Sequence, residues 1–446
     1  MLQPTRTTYP IVFCHGVMGW GSEEAGLGEL LNYWGASVSY IVKLRQEGFN
    51  VYEGVVGPVS SVWDRAIELY YCIRGGTVDY GLAHSTKFSH ARFGRTYPGF
   101  GFEWSETKKI NLFGHSFGGN TIHFLTTLLN QGSEKEREAY SAANEEVPFI
   151  FRGGNDIVFS VTCLSTPHSG TQLANLGIFT DIVKRILSLI ISVVGLDTDG
   201  DAIFDFKLDQ FGLVRELGEG NAGYLERVVA SHVWQAGYED IAPYDLSSVG
   251  TEIHNRLYPA ENHVYYFNLV SSCTYSVPFL GISFPGHTMW SFLWPTATLL
   301  GSTPLPGCDP TDSYENDGVV SLFSQRGSQF GSIVRLTAVS QPVPGVIYFT
   351  RIDNNLDHMQ VLGFGAYDVY PGYLNYVKFI AELEAAGFVR TRMKDTLGTG
   401  FGATSMLARV LYQPSVMRAH WVAKPYNFWT GLVWCIIRRI CTGVTR

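Results

Sequence analysis

The sequence predicts an α/β fold with a mostly parallel central sheet covered by helices. Short apolar runs rich in β-branched and aromatic residues alternate along the chain with segments of helical period, which is typical of such a sheet. The 446 residues are 46% hydrophobic and 14% aromatic, so the chain has enough apolar side chains for a large buried core. The sequence contains no internal repeat.

Six strands and three helices are predicted with some precision. The strands are expected at 9–14, 49–56, 108–114, 157–164, 264–270 and 333–339, and the helices at 120–131, 134–143 and 374–386. Residues 57–107 are rich in glycine, histidine and aromatic side chains and match neither period. This segment is therefore predicted to be an insertion.

The charge of the chain is divided into two parts. The formal net charge is −8, which argues against nucleic acid as a partner because phosphate binding needs a concentrated positive surface. Residues 391–446 carry eight basic residues and one acid, or +7, which leaves −15 for residues 1–390. Seven cysteines without a CxxC pair argue against a disulfide framework.

The most informative motif is GHSFGG at 114–119, between a predicted strand and a predicted helix. A serine between glycines on a sharp strand-to-helix turn is the nucleophile elbow of the α/β-hydrolase fold. Its hydroxyl is exposed near the positive end of the helix, where developing negative charge is stabilised. The alternative is an ordinary glycine-rich turn, but the order of strand, turn and helix favours Ser116 as nucleophile.

A second turn, HGV at 15–17, follows the first predicted strand. This is the place where such a fold supplies one backbone N–H to an oxyanion hole, and the residue after the nucleophile supplies the other. The predicted donors are therefore the N–H groups of Val17 and Phe117. Taken alone, the turn at 15–17 favours the interpretation as an ordinary strand end.

A serine nucleophile needs a histidine to take its proton and an acid to orient that histidine, in the chain order serine, acid, histidine. His358 lies late in the chain, in a polar loop before an apolar segment, and Asp317 lies in a preceding turn. Asp357 is the alternative acid, although an immediate neighbour rarely reaches the histidine Nδ1. With twelve histidines present, the residues alone leave this choice open.

Longer stretches carry a specific resemblance. They run collinearly over roughly the first 390 residues and include HGVMGWG (15–21), SSVWDRA (60–66), GGTVDYGLAHSTKFSHARFGRTYPG (75–99), GHSFGGNT (114–121), FSVTCLSTPHSGT (159–171), FDFKLDQFGL (204–213), YDLSSVG (244–250), ENDGVV (315–320) and DHMQVLG (357–363). The chain resembles the thermoalkalophilic, zinc-containing bacterial lipases of the α/β-hydrolase superfamily. The resemblance implies Ser116, Asp317 and His358 as a catalytic triad and triacylglycerols or related lipid esters as substrates.

The resemblance also implies a structural zinc ion. Its ligands would be Asp64, His84, His90 and Asp245, in an insertion formed by 57–107 and about 233–262. Two imidazoles and two carboxylates make a closed four-coordinate site without an open position for water. Such a site stabilises the fold and does not act as a metallohydrolase centre. Without the resemblance, two histidines six residues apart in a glycine-rich loop would be read as solvated side chains.

The chain departs from these lipases where they bind calcium. Gln360 stands where an acid is expected, and Gly365-Ala366 replaces Asp-Pro. Losing two anionic oxygens removes most of the affinity of a site for a hard cation, so no bound calcium is expected. Residues 173–196 are apolar nearly throughout and match the position of the lipase lid, with a buried core helix as the alternative.

The resemblance covers the predicted lipase domain, 1–390, and leaves the extension 391–446 unplaced. Its aromatic and basic residues suit an anionic membrane surface, while the alternatives are a disordered extension or packing against the acidic body. No signal peptide or glycosylation sequon is visible, which favours a cytoplasmic or membrane-associated location over secretion. The alternative functions are a phospholipase or acyltransferase using the same triad, and a non-catalytic lipid-binding relative.

Overall fold

The structure is a computed structural model that describes residues 6–397 and 424–425. Gaps in this description are residues 23, 25–27, 29–30, 179–180, 182, 184–204, 236, 278–279, 309–312, 328–330, 338–339, 353–354 and 366. Thirteen strands lie in the described residues: β1 Ile11–Cys14, β2 Val51–Gly54, β3 Gly76–Asp79, β4 Phe93–Tyr97, β5 Ile110–His115, β6 Val158–Leu164, β7 Tyr265–Val270, β8 Thr274–Val277, β9 Ile282–Pro285, β10 Ile333–Arg335, β11 Ile347–Arg351, β12 Tyr367–Asp368 and β13 Lys424–Pro425.

Seven of the strands form one central sheet in the order β10-β11-β7-β6-β5-β1-β2. All its neighbouring pairs are parallel, so the predicted α/β fold is confirmed. In the register of β5 with its neighbours, Gly114 lies beside Cys14 of β1 and Cys163 of β6. The carboxyl ends of these three strands therefore meet at one edge of the sheet, and the turns that follow them converge there.

The helices of the described residues are α1 Tyr40–Gln46, α2 Val62–Arg74, α3 Leu82–Phe88, α4 Phe117–Gln131, α5 Glu134–Ala142, α6 Phe149–Arg152, α7 Gln172–Asn175, α8 Asn221–Ala230, α9 Ala242–Asp245, α10 Ser248–Leu257, α11 Trp294–Leu300, α12 Leu322–Arg326 and α13 Tyr370–Leu397. The three predicted helices correspond to α4, α5 and α13, and the six predicted strands overlap strands of the central sheet. Strand β11 was missed, because its sequence IYFTR follows a Pro-Gly turn and is short.

The prediction that 57–107 is wholly an insertion was wrong for α2. Ten of the thirteen residues of this helix are buried, including the charged Asp64, Arg65 and Glu68. Buried charges at these positions interrupt the apolar pattern, which explains why no helical period is visible in the sequence. The rest of the segment forms α3 and the antiparallel hairpin β3–β4.

The predicted lid and tail lie largely outside the described residues. Of 173–196, only 173–178, 181 and 183 are described, and α7 ends at Asn175. Helix α13 crosses the predicted boundary at 390, and β13 pairs antiparallel with β12. Within the described residues, no helix combines the length and hydropathy that crossing a bilayer would need.

Gly118, in the first turn of α4, provides a test of how tightly the sheet edge is packed. A Cβ atom on Gly118 would lie 2.2 Å from the backbone oxygen of Cys14, and backbone cannot move aside without disturbing β1. We expect Gly118→Ala to lower the free energy of unfolding by about 2–3 kcal/mol, measured by denaturant unfolding.

The matched control is Gly223→Ala in helix α8. Its added Cβ would meet only the Glu219 side chain, at 3.7 Å, so this variant should gain about 0.5–1 kcal/mol from helix propensity. Equal stability changes in the two variants would contradict the close packing described for Gly118.

Candidate active site

Ser116 occupies the sharp turn between β5 and α4. Its backbone has φ 55° and ψ −129°, a left-handed conformation that costs energy for any residue except glycine. The turn is held by the Ser116 N–H, which donates to the Leu164 carbonyl oxygen at 2.8 Å. Ser116 is buried, with 8% of its surface exposed.

The glycines around Ser116 are required by close contacts. A Cβ atom on Gly119 would lie 2.0 Å from the Thr166 Oγ1, and one on Gly16 would lie 2.7 Å from the Ser116 Cβ. The turn after β1 therefore packs directly against the serine. This is the strained strand–turn–helix geometry of a nucleophile elbow.

The backbone N–H groups of Val17 and Phe117 lie at this point of contact. Val17 follows Gly16, and Phe117 is the first residue of α4, so its N–H lacks a partner within the helix. Among the hydrogen bonds of the described residues, neither N–H has an acceptor. Their role as donors to a negatively charged oxygen at Ser116 stays a prediction.

Asp317 and His358 form a buried hydrogen-bonded pair. The His358 Nδ1 lies 2.7 Å from the Asp317 Oδ2, and the His358 N–H donates to the Asp317 carbonyl oxygen at 2.9 Å. The other carboxylate oxygen, Oδ1, accepts from the N–H groups of Val319 and Val320 at 3.0 and 2.8 Å. Gln325 Nε2 donates to Oδ2 at 3.1 Å. The carboxylate is thus fixed in the orientation that holds the imidazole.

Asp357, the alternative acid, has a different role in the structure. Its Oδ1 accepts from the N–H groups of Met359 and Gln360, and its Oδ2 accepts from the Trp290 N–H. Burial raises the pKa of Asp357 to about 6. The carboxyl group is used to fold the loop that carries His358 and does not contact the imidazole ring through any of these bonds.

Gln360 replaces the expected calcium ligand and makes hydrogen bonds of its own. Its Oε1 accepts from the Asp357 N–H at 3.0 Å, and its Nε2 donates to the Thr288 carbonyl oxygen at 2.6 Å. These bonds join the segment around Thr288 to the loop of His358. The expectation that no calcium binds here stays a prediction.

The segments of Ser116 and His358 meet through His115. The His115 Nε2 lies 3.1 Å from the His358 carbonyl oxygen, and the centres of the two rings are 4.7 Å apart. Because His115 precedes Ser116, this contact brings the elbow and the Asp317–His358 pair to the same edge of the sheet.

A buried arginine supports the turn after β1. Arg65, on α2, donates to the carbonyl oxygens of His15 and Gly57 at 2.5 and 2.6 Å and to the Thr121 Oγ1 at 2.9 Å. Its guanidinium lies 4.9 Å from the centre of the Phe117 ring. One side chain thus joins β1, α2 and α4 directly behind the site.

Four side chains that could hold a metal ion cluster near α2: Asp64, His84, His90 and Asp240. One ligand atom from each lies within 4.8 Å of the others. The prediction of Asp245 as the fourth ligand was wrong, because Asp245 is not a member of this cluster. Its carboxylate instead accepts from the Val62 N–H at the start of α2 and from the His254 Nε2, at 2.5 and 2.7 Å.

The polar atoms of this cluster are buried and make few hydrogen bonds, which fits a bound cation. The His84 Nε2 lies 3.2 Å from both the Asp64 Oδ1 and the Asp240 Oδ1, and the His90 Nε2 lies 3.3 Å from the Asp240 Oδ2. All five atoms are buried, and none of these contacts has the geometry of a hydrogen bond. Unpaired buried polar atoms are costly unless something binds them. The His90 Nδ1 lies 2.9 Å from the Ala91 carbonyl oxygen, which directs the Nε2 lone pair to the centre of the cluster. Gln210 donates to the second oxygen of Asp64.

The sequence analysis missed three residues that contact the metal cluster or the Ser116 site: Asp240, Arg65 and Gln325. Asp240 lies five residues before the predicted ligand, in the same acidic segment, and the spacing alone could not separate the two. Arg65 stands next to Asp64 in the SSVWDRA stretch, which was a usable signal. Gln325 lies in a short polar helix without a motif.

Comparison with known proteins places the chain in a family. The model described as "Lipase-like, C-terminal domain" matches residues 7–393. Lipase 2 from Staphylococcus aureus is 31% identical over 394 residues, which cover 85% of this chain and 55% of that protein. The chain thus spans about half the length of this curated relative.

Solved structures agree on the fold. EstA from Clostridium botulinum is 40% identical with a TM-score of 0.76, covering 84% of this chain and 87% of its own. Lipase 1 from Pelosinus fermentans is 37% identical with a TM-score of 0.73, covering 85% of this chain and 98% of its own. With the parallel sheet, these similarities confirm an α/β-hydrolase-like fold. The chain belongs to the family of lipase-like C-terminal domains.

Proposed function

We propose that this protein hydrolyses carboxylic esters through an acyl-enzyme formed on Ser116. The observation that carries the proposal is the hydrogen bond between the His358 Nδ1 and the Asp317 Oδ2, beside an elbow that holds a serine in a strained backbone conformation. These are the parts of a Ser-His-Asp triad in the chain order of this fold.

The Asp317 contacts support a defined proton arrangement. A carboxylate bound to the His358 Nδ1 keeps the proton on that nitrogen, so that Nε2 is free to take the proton of the serine hydroxyl. Two backbone N–H groups and Gln325 hold the carboxylate in place. The charge that develops on the imidazole is then stabilised without movement of the acid.

The ester carbonyl would react in two steps. Attack of the Ser116 oxygen forms a tetrahedral intermediate, whose oxyanion would accept from the Val17 and Phe117 N–H groups. Protonated His358 then returns its proton to the leaving alcohol, which leaves an acyl-serine. A water molecule, deprotonated by His358 in turn, attacks the acyl-serine and releases the acid.

Apolar surface near the site favours lipid esters as substrates. The Thr171 hydroxyl donates to the Val319 carbonyl oxygen at 2.7 Å, which places α7 beside the loop of Asp317. Leu176, at the end of α7, is 47% exposed, and Val249 and Ile253 on the adjoining α10 are 59% and 41% exposed. Two of the similar proteins bear the name lipase. Contact with a lipid–water interface is part of this proposal.

We further propose that Asp64, His84, His90 and Asp240 hold a structural zinc ion. Two nitrogen and two oxygen ligands make a closed tetrahedral site. A zinc ion supplies a cross-link here, between the core helix α2, helix α3 with its following loop, and the segment before α9. All four ligands come from the protein, so no reaction step is assigned to the metal.

The triad is tested by hydrolysis of p-nitrophenyl esters of increasing chain length. We expect Ser116→Ala and Asp317→Asn each to lower kcat by more than about 10³-fold. The first variant removes the nucleophile, and the second removes the carboxylate that keeps His358 in the tautomer with its proton on Nδ1. Wild-type rates should rise from acetate toward medium or long acyl chains.

Asp357→Asn is the matched control for Asp317→Asn. It removes a buried carboxylate charge one residue from His358 and keeps one oxygen to accept from the Met359 and Gln360 N–H groups, while the bond from the Trp290 N–H is lost. Because no bond to the imidazole changes, kcat should fall by less than about tenfold. Full activity of Ser116→Ala would reject the proposed function. A larger loss in Asp357→Asn than in Asp317→Asn would reject the choice of acid.

The metal site is tested by elemental analysis of purified protein. We expect about one zinc per chain in the wild type and a strong loss of zinc in Asp240→Asn, because this variant removes one anionic ligand. Asp245→Asn should keep its zinc, since Asp245 contacts the backbone of α2 instead. Loss of zinc in Asp245→Asn with retention in Asp240→Asn would contradict the ligand set.

A further inference from the structure

A buried chain of hydrogen bonds links the three backbone segments that carry the proposed reacting groups. The Gly16 N–H donates to the Tyr33 hydroxyl oxygen at 2.8 Å, and that oxygen lies 2.7 Å from the His115 Nδ1. The His115 Nε2 lies 3.1 Å from the His358 carbonyl oxygen. Tyr33 is 3% exposed and His115 is 1% exposed, so water does not compete for these bonds.

The acceptor at one end of this hydrogen-bond chain and the neutral imidazole in its middle determine the position of each proton. A carbonyl oxygen can only accept, so the His115 Nε2 carries a proton and donates it to the His358 carbonyl oxygen. Burial lowers the pKa of His115 well below its ordinary value, which keeps the ring neutral and leaves Nδ1 without a proton. The Nδ1 therefore accepts from the Tyr33 hydroxyl, whose oxygen accepts from the Gly16 N–H.

Each backbone segment held by this chain of hydrogen bonds contains or adjoins one proposed reacting group. Gly16 precedes Val17, whose N–H is a proposed oxyanion donor, and His115 precedes Ser116. The peptide of His358 is held on its other side as well, because its N–H donates to the Asp317 carbonyl oxygen at 2.9 Å. A shift of Tyr33 would therefore change the positions of donor, nucleophile and base relative to one another.

We propose that Tyr33 and His115 are positioning residues that hold the Val17 N–H, Ser116 and His358 in their reactive arrangement. This inference rests on the proposed ester hydrolysis. Neither side chain needs to touch the substrate, and neither loses or gains a proton in the reaction. Loss of the Tyr33 hydroxyl would leave the Gly16 N–H and the His115 Nδ1 without their partner, which frees both segments to move.

We expect these hydrogen bonds to act on the chemical step, since a misplacement of about 1 Å can slow a reaction by about 100-fold. In Tyr33→Phe we expect kcat for a p-nitrophenyl ester to fall about tenfold or more while KM stays within about twofold. A purely structural role of Tyr33 would lower the melting temperature without this split between kcat and KM.

Tyr376→Phe is the matched control. The Tyr376 hydroxyl is also buried and donates to the Thr162 Oγ1 at 2.8 Å, but it lies in the core and outside the hydrogen-bond chain. This variant should lose comparable stability and keep the wild-type kcat. If Tyr33→Phe keeps kcat within twofold of the wild type, or if Tyr376→Phe loses as much, the proposal is overturned.

A second measurement does not depend on any variant at position 33. Nitrogen-15 NMR of histidine-labelled wild-type protein at pH 7 should show His115 as the neutral Nε2–H tautomer, with assignment by a His115→Phe sample. The Nδ1–H tautomer or a charged ring would overturn the proposal. Activity in Ser116→Ala would reject ester hydrolysis by Ser116, whereas an inactive Ser116→Ala with a fully active Tyr33→Phe would reject only the positioning role.

Discussion

The direct contact between the turn after β1 and the turn between β5 and α4 is the constraint on which the rest of the structure depends. The two strands are adjacent and parallel, with Cys14 beside Gly114, so their following turns must share one small space. Only glycine at 16 and 118 permits this approach, because a Cβ at either position would overlap with neighbouring atoms. The same contact places Gly16, the residue before Val17, directly against Ser116.

Buried polar groups make this contact rigid. Arg65 donates to the carbonyl oxygen of His15, and the Tyr33 hydroxyl oxygen accepts from the N–H of Gly16. Charged and polar groups in such surroundings are favourable only when all their bonds are made, so they permit one arrangement of the turn. Asp64 of the proposed zinc site is the immediate neighbour of Arg65 on α2. The candidate metal cluster and the turn after β1 are thus connected through the single buried helix α2.

Local sequence patterns predicted the parts of the site that are local in the structure. The elbow at 114–119 needs a strand, a glycine turn and a helix in succession, and all three are visible in the sequence. The pairing of Asp317 with His358 joins residues 41 positions apart, so it came from the resemblance to known lipases and not from spacing. Six of seven sheet strands were found because parallel buried strands are continuous apolar runs.

The failures have physical causes. Asp240 lies just before the short helix α9, and Asp245 lies at its end. Which of the two carboxylates faces His84 and His90 depends on how the backbone turns between them. Helix α2 was hidden by its buried charges. Tyr33 lies in no motif, because its hydroxyl acts on groups that are distant in the sequence. Contacts of this kind depend on the tertiary structure and have no pattern in the sequence.

The most direct test of the account is covalent labelling of the nucleophile. A p-nitrophenyl alkylphosphonate should react with the wild-type protein in a one-to-one ratio, and mass spectrometry of the digested protein should find the phosphonyl group on Ser116. The variant Asp317→Asn should be labelled much more slowly, because its His358 is no longer oriented to take the serine proton. Labelling of another residue, or ester hydrolysis that continues in the fully labelled protein, would contradict the account.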